Sequence, residues 1–204
     1  MVDVEKTCAA LERNKIAVHR FKTGAEARDE ALRRLPKDAQ IALGGSTTTA
    51  QIGLQDALRR GGFNLIDAYA PDLAREEAIR RRRQGLLADY FITGTNAITE
   101  SGELVNMDGL GNRVAAQIFG PRKVFIFASL KKIVPDVQSA LHRIRTVAAP
   151  MNARRLGLDI PCARGEDCSA CPPERSICNY TVIMHHQSAK DRLLLFLIEE
   201  AFGF

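Results

Sequence analysis

The sequence predicts an α/β fold, a mostly parallel sheet with helices on both faces, with a Cys-rich insertion near the C-terminus. Three observations predict it. Short apolar runs alternate with amphipathic stretches from Ile16 to Ala148, the rhythm that builds parallel sheets. With 46% apolar residues in 204, the chain has the material for a full hydrophobic core. No repeat, low-complexity tract or Pro/Ser-rich linker divides it, and the composition shifts once, at Asp159 to Asn179. The expectation is a single domain over residues 1–204, with 159–179 inserted in it.

The elements follow in order. Cys8 lies on an early helix and reads as a small buried hydrophobe. Ile16 to Phe21 reads as a strand, Ala25 to Leu35 as a helix and Gln40 to Leu43 as a strand. Thr48 to Arg60 is then helical, Phe63 to Ile66 a strand, Leu73 to Gln84 a helix and Asp89 to Thr93 a strand. Arg113 to Phe119 forms a short helix leading into the strand Lys123 to Ala128. Asp136 to Ala148 carries Val137, Leu141, Ile144 and Val147 at helical spacing, and Pro150 is expected to stop that helix. Tyr180 to His185 and Leu193 to Glu199 read as strands separated by the polar turn Gln187 to Asp191, and are expected to pair antiparallel at a sheet edge.

The formal charge of +5 raises the question of nucleic acid, but much of the excess lies in Arg80 to Arg83, at the end of a helix that begins Arg75-Glu76-Glu77. Acids first and bases last is the order a helix dipole favours, so a solvated helix end accounts for the run. The absence of Trp and of aromatics interleaved with the arginines also weighs against nucleic acid. The first residues lack the basic-then-apolar layout of a signal peptide, and runs such as Leu193 to Ile198 fall far short of the roughly 20 residues that span a bilayer. A cytoplasmic protein without membrane insertion is expected.

Two loops carry candidate chemistry. Gly44, Gly45, Ser46, Thr47 and Thr48 lie between a predicted strand and a predicted helix, at the carboxyl end of the strand, where open α/β sheets bind ligands. Glycines let a ligand approach the backbone, hydroxyls supply hydrogen bonds, and amides at a helix start attract phosphate or carboxylate. The segment is neither a Walker loop nor G-x-G-x-x-G. A helix N-cap supplied by Ser46 or Thr47 explains the same residues without a ligand. The second loop holds Gly94, Thr95 and Asn96 and, after an expected hairpin turn at Ser101-Gly102, Asn106, Asp108, Gly109, Gly111, Asn112 and Arg113. Asp108 is the candidate general base, Glu100 its companion acid or base, and Arg113 an anion clamp. Turn hydrogen bonds from Asn106 and Asp108 to their own backbone are the alternative.

Cys162, Cys168, Cys171 and Cys178 are spaced C-x5-C-x2-C-x6-C. In a reducing compartment disulfides are disfavoured, and a Cys-x-x-Cys turn lets two thiolates converge on one ion while the outer pair completes four-thiolate coordination. Zinc and an iron–sulfur cluster both accept such a set, and the spacing matches neither ferredoxin pattern. Free thiols or a redox-active pair are the alternative. His185 and His186 sit on a predicted strand, where neighbours face opposite ways, so at most one can point toward a site.

Ile41 to Thr48, Ile92 to Ala115, Gly120 to Val124, Ala149 to Leu156 and Ile177 to Ile183 together resemble the lactate-utilisation (LUD-domain) family, in its cysteine-containing branch. The resemblance covers nearly the whole chain, and Thr93 to Arg113 is its most specific stretch. It implies a fold like that of ribose-phosphate isomerase, coenzyme A transferases and formyltetrahydrofolate cyclo-ligase, whose strand-end loops hold anionic ligands. The corresponding loops here are Gly44 to Thr48 and Gly94 to Arg113. Some members belong to iron–sulfur systems that oxidise lactate; this chain has one four-cysteine group in place of the paired ferredoxin-like motifs of their cluster-bearing subunit.

The expected function is binding of an anionic small metabolite (an organic acid, a sugar phosphate or a coenzyme A-like molecule) in lactate or organic-acid oxidation. A metal centre is expected at the four cysteines, a 4Fe-4S cluster favoured and zinc the other occupant. An iron–sulfur electron-transfer or assembly subunit, working with the subunits of a lactate-oxidation complex and without its own catalytic site, is the first alternative. A zinc-containing nucleic-acid-binding protein is the second. An oligomer is compatible with each.

Overall fold

Where apolar runs alternate with amphipathic stretches, strands alternate with helices. The computed structural model describes residues 2–204. The chain opens with α1 (Val4–Arg13), capped by the Asp3 side chain, which accepts from the Lys6 N–H. β1 (Ala17–Phe21) follows, then α2 (Gly24–Arg34), whose Thr23 and Glu26 form a reciprocal capping box. β2 (Gln40–Leu43) leads to α3 (Thr47–Gln51) and α4 (Leu54–Arg60), and then to β3 (Asn64–Ile66), α5 (Arg75–Gln84) and β4 (Tyr90–Gly94). The hairpin β5 (Ala97–Thr99) and β6 (Leu104–Asp108) precedes α6 (Asn112–Ile118), β7 (Lys123–Ser129) and β8 (Ile133–Val134). α7 (Val137–Arg143), α8 (Ala149–Arg155) and α9 (Pro161–Arg164) come next, and β9 (Tyr180–Met184) and β10 (Leu193–Ile198) complete the series.

The strands form two sheets. The larger has six strands in the order β1-β10-β7-β4-β2-β3, every pairing parallel. The smaller runs β8-β5-β6-β9, with β5 and β6 antiparallel across the expected Ser101-Gly102 turn and β9 antiparallel to β6. Gly102 takes φ 86°, which the tight turn requires. Among the described residues no helix is long and apolar enough to cross a membrane.

β10 explains the architecture. Leu193, Leu195 and Leu197 pack into the core on one sheet face with Leu11, Ile16 and Ile126, while Leu194, Phe196 and Ile198 pack on the other with Ile41, Phe125 and Phe127. Side chains alternate along a strand, so a strand apolar at every position must be covered on both faces. That requirement overturns the expected antiparallel pairing of the last two strands. β10 lies between β1 and β7, parallel to both, and β9 belongs to the edge of the other sheet.

Two helix boundaries also differ from expectation. The helix expected over Thr48 to Arg60 is broken at Gly53, the N-cap of α4, whose φ of 73° is left-handed. Pro150 does not end the helix after Asp136. A π-helical segment, Ile144–Ala148, shifts the backbone register, and Pro150 falls in the first turn of α8, where a missing N–H leaves no bond unmade.

Phe196 is fully buried and stacks on Phe21 and Phe127 at ring separations of 5.6 and 4.5 Å. Phe196→Ala is expected to lower the unfolding free energy by about 3–5 kcal/mol in urea titrations. A loss under about 1 kcal/mol would contradict the interior position of β10.

Candidate functional site

In the six-stranded sheet the carboxyl ends of β2, β4, β7 and β10 open on one side, and the chain leaving each contributes to one cleft of about 310 Å³. Gly45, Ser46, Thr47 and Thr48 follow β2; Gly94, Thr95 and Asn96 end β4; Lys132 follows β7; Gly203 follows β10. The smaller sheet adds Met107 and Asp108 at the end of β6, and the helical segments from Ile144 to Leu156 form another wall. The first two loops nearly touch: a Cβ on Gly94 would come within 2.8 Å of Ser46 Oγ. Only glycine at 94 allows that approach.

A buried polar network holds the loops in place. Asn106 is fully buried. Its Oδ1 accepts from Thr95 Oγ1 at 3.2 Å, from the Asn96 N–H at 3.1 Å and from Arg113 Nη1 at 2.7 Å, and its Nδ2 donates to Gln117 Oε1 at 3.0 Å. Gln117 in turn donates to the Gly94 carbonyl at 3.1 Å. Arg113 also donates to Asn96 Oδ1 at 3.1 Å and to the Met107 carbonyl at 3.0 Å. Its guanidinium is thus held in place by protein groups at the cleft wall. Asn106 stands behind the cleft as its brace.

The charge in the cleft is unbalanced. Four cationic side chains, Arg82, Arg113, Lys132 and Arg155, line it with one carboxylate side chain, Asp108. Lys132 is buried, and its Nζ donates to Thr48 Oγ1 at 3.2 Å and to the Thr95 carbonyl at 3.1 Å. Burial, reinforced by the positive charges of Arg143, Arg113 and Lys131, pulls its pKa down to about 7. Asp108 Oδ2 lies 3.4 Å from Arg113 Nε. Yet Asp108 Oδ2 and Arg82 Nε are both buried without a hydrogen-bond partner among the described residues.

The expected residues divide into three groups. Gly45, Ser46, Thr47, Thr48, Gly94, Thr95, Asn96, Asp108, Gly109, Asn112 and Arg113 line the cleft. Gly44, Asn106 and Gly111 do not, because each serves the frame: a Cβ on Gly44 would strike the Phe91 ring at 2.7 Å, and Gly111 turns the chain into α6 at φ 80°. Glu100 lies elsewhere. Its carboxylate accepts from the Asp3 N–H at 2.7 Å and pairs with Lys6 at 3.1 Å, which hold its pKa below the usual value, so it is no companion to Asp108. Ser46 is also the N-cap of α3, accepting from the Thr49 N–H at 3.3 Å.

Lys132, Arg82 and Tyr69 are cleft residues that sequence reasoning missed. Of the arginine run, Arg80 and Arg81 pair with Glu77 as expected of a solvated helix end, but Arg82 turns over the Tyr69 ring at the cleft. The strand-end rule that singled out Gly44 to Thr48 applies equally to the chain after β7 and would have found Lys132.

The cysteine segment packs beside the cleft. Ile160 and Cys162 form a small apolar cluster with Ala153 of α8, against which Leu158, Cys171 and Ile177 pack. All four cysteines line a second cavity, and Met107, Ile177 and Cys178 line both it and the cleft. The thiols feel one another: burial, then Cys168, Cys162 and Cys171, push Cys178 up to about 11 against the pull of Arg145. Burial and the Cys168 and Cys171 thiols likewise raise Cys162. Among the described residues, no group of three or more His, Cys, Asp or Glu side chains is gathered as a bound metal would require. His185 is exposed, near Glu103. Cys8 is half-buried against the core, its pKa raised by that burial.

Removing the brace tests its role. Asn106→Ala leaves Thr95, Asn96, Arg113 and Gln117 each short of a buried partner, and is expected to cost about 3 kcal/mol in urea unfolding. A cost below about 1 kcal/mol would show that the network does not carry the loops.

Comparison with known proteins identifies the family. A model described as the LUD domain matches residues 4–198. A DUF162 family protein from Deinococcus radiodurans is similar in fold over 97% of this chain and 96% of its own, at TM-score 0.54 and 13% identity. A D-ribose-5-phosphate isomerase in complex with phospho-erythronic acid aligns with 62% of this chain and 56% of its own, at TM-score 0.38 and 20% identity. For eIF2B delta from Chaetomium thermophilum the shares are 68% and 53%, the TM-score 0.35 and the identity 18%. No curated protein matches the chain. With its family model spanning every strand and helix just described, the chain belongs to the LUD-domain family, the lactate-utilisation family that its motifs resemble.

Proposed function

We propose that the chain binds an anionic small metabolite, an organic acid, sugar phosphate or coenzyme A-like molecule, in the lactate-utilisation-type role that goes with its family. The observation that carries this reading is the excess of cationic over carboxylate side chains in a cleft at the strand ends. Ligands in open α/β sheets sit in that crevice, and a low-dielectric wall strengthens the attraction of each charge for an anion. The cavity of about 310 Å³ is of the size that small-metabolite sites take. Any proton transfer to a side-chain carboxylate at this site falls to Asp108.

Thermal-shift titration with L-lactate, pyruvate, ribose 5-phosphate and coenzyme A tests the reading. At least one of these is expected to raise the melting temperature, a ligand at 100 times its Kd adding about 2.7 kcal/mol. Ser46→Ala lowers the unliganded stability by about 1 kcal/mol through its lost cap and is expected to shrink the ligand-induced shift as well. Melting temperatures unmoved by all four would sink the proposal.

A second reading, a metal centre at Cys162, Cys168, Cys171 and Cys178, is favoured by their lining one cavity. Soft thiolates suit zinc or an iron–sulfur cluster, and the four side chains would have to close toward one another to hold either. Binding would release protons, since burial keeps Cys162 and Cys178 as thiols. A structural zinc would tie the segment down, whereas a cluster would supply one-electron chemistry beside the cleft. Anaerobic purification followed by metal analysis and an absorption spectrum distinguishes brown iron–sulfur protein from colourless zinc protein. Metal-free protein, or metal retained in full by the four Cys→Ser variants, would rule this centre out.

A further inference from the structure

Three observations single out Lys132. It is a buried amine that still lines the cleft, in the turn that leaves β7. The charges acting on it are all of its own sign: Arg143 on α7, Arg113 on α6 and Lys131 beside it. The one carboxylate side chain lining the cleft among the described residues, Asp108, is paired with Arg113 at 3.4 Å instead. Among the described residues the amine has two acceptors, Thr48 Oγ1 at 3.2 Å and the Thr95 carbonyl at 3.1 Å. An ammonium has three donors, so the charged form leaves one of them without an acceptor, whereas a neutral amine uses both its N–H bonds here and keeps its lone pair for another partner. Glycine at 203 gives the amine room, since a Cβ there would come within 2.9 Å of Nζ.

We propose that Lys132 is a nucleophile that forms an imine with the aldehyde or ketone group of a small anionic substrate. This rests on the reading of the cleft as an anion site and adds a covalent step to it. The nitrogen lone pair adds to the carbonyl carbon while one amine proton passes to the carbonyl oxygen, giving a carbinolamine. Loss of that hydroxyl with the second amine proton, as water, leaves the carbon–nitrogen double bond. No oxidant, reductant or further reactant enters the balance. Desolvation and neighbouring cations prepare a lysine for this addition, because both favour its neutral form. The same cations attract the carboxylate or phosphate of the substrate.

The amine sets the pH dependence. Burial and the three cations bring the pKa of Lys132 down to about 7, against about 10.4 for a solvated lysine. The nucleophilic form therefore predominates above pH 7. Imine formation at Lys132 rises with pH through that value and then levels off, while reaction at exposed lysines keeps rising toward about pH 10.

Borohydride trapping on the unaltered full chain tests the inference. The protein is incubated with pyruvate or with dihydroxyacetone phosphate, reduced with sodium borohydride, and read by intact mass and peptide mapping. At least one probe is expected to leave a single adduct per chain, its mass that of the probe less one oxygen atom, at Lys132 and not at Lys131. An adduct from pyruvate assigns a carboxylate substrate, and one from dihydroxyacetone phosphate a phosphate substrate. Lys132→Arg keeps a positive charge without an amine and is expected to abolish the adduct; the mapping does not depend on that variant folding. Adducts spread over exposed lysines, or labelling at Lys132 that keeps rising to about pH 10, overturn the proposal. No adduct from either probe also overturns it, and melting temperatures taken without borohydride then decide the anion site separately. A probe that raises the melting temperature without forming an adduct leaves the anion site standing and removes the covalent step; temperatures unmoved by these probes and by the ligands titrated above remove both.

Discussion

The buried amide of Asn106 is the constraint on which the site depends. It sits on the smaller sheet, yet its oxygen collects donors from the loop that ends β4 of the larger sheet and from α6. A buried side-chain amide must find partners for both its donor and its acceptor. Here those partners are the segments that have to stay together for a cleft to exist. The hydrogen bonds that satisfy one residue thereby set the relative position of two sheets, and a network satisfied at every member is stiff. Arg113 and Gln117 extend it to the Gly94 carbonyl, the point where Ser46 comes closest to the neighbouring loop.

Much of the fold was legible because β-strand burial writes itself into composition. The runs at Gln40 to Leu43 and Lys123 to Ala128 could be read as buried parallel strands because both faces had to be apolar. The same rule, applied to Leu193 to Ile198, points to an interior strand; a short polar turn before it suggested a hairpin instead, and proximity along the chain misled. Pro150 misleads for a different reason. Its missing N–H forbids an ordinary continuation of the helix but not one in which a π-helical turn resets the register, and nothing local announces that turn.

The site was legible where a loop is rich in glycine and hydroxyl residues and illegible where a single side chain reaches in from a plain sequence. Lys132 follows another lysine, and Arg82 lies within a run of four arginines. Only the register of each element shows which of them turns inward. Glu100 illustrates the converse. It stands eight residues before Asp108 in a motif-dense stretch, but the hairpin carries it to the far end of its strands, where it meets α1. Closeness in a motif is not closeness in space when a turn intervenes.

One wall serves two cavities. Met107, Ile177 and Cys178 face the cleft and the cysteine pocket alike, and packed interiors transmit displacement instead of absorbing it. Any occupant that moves this wall from one side changes the free energy of occupancy on the other, and thermodynamics makes the effect mutual: the factor by which the first alters the second equals the factor by which the second alters the first. An occupant of either cavity that displaced the shared wall would therefore be felt in the other.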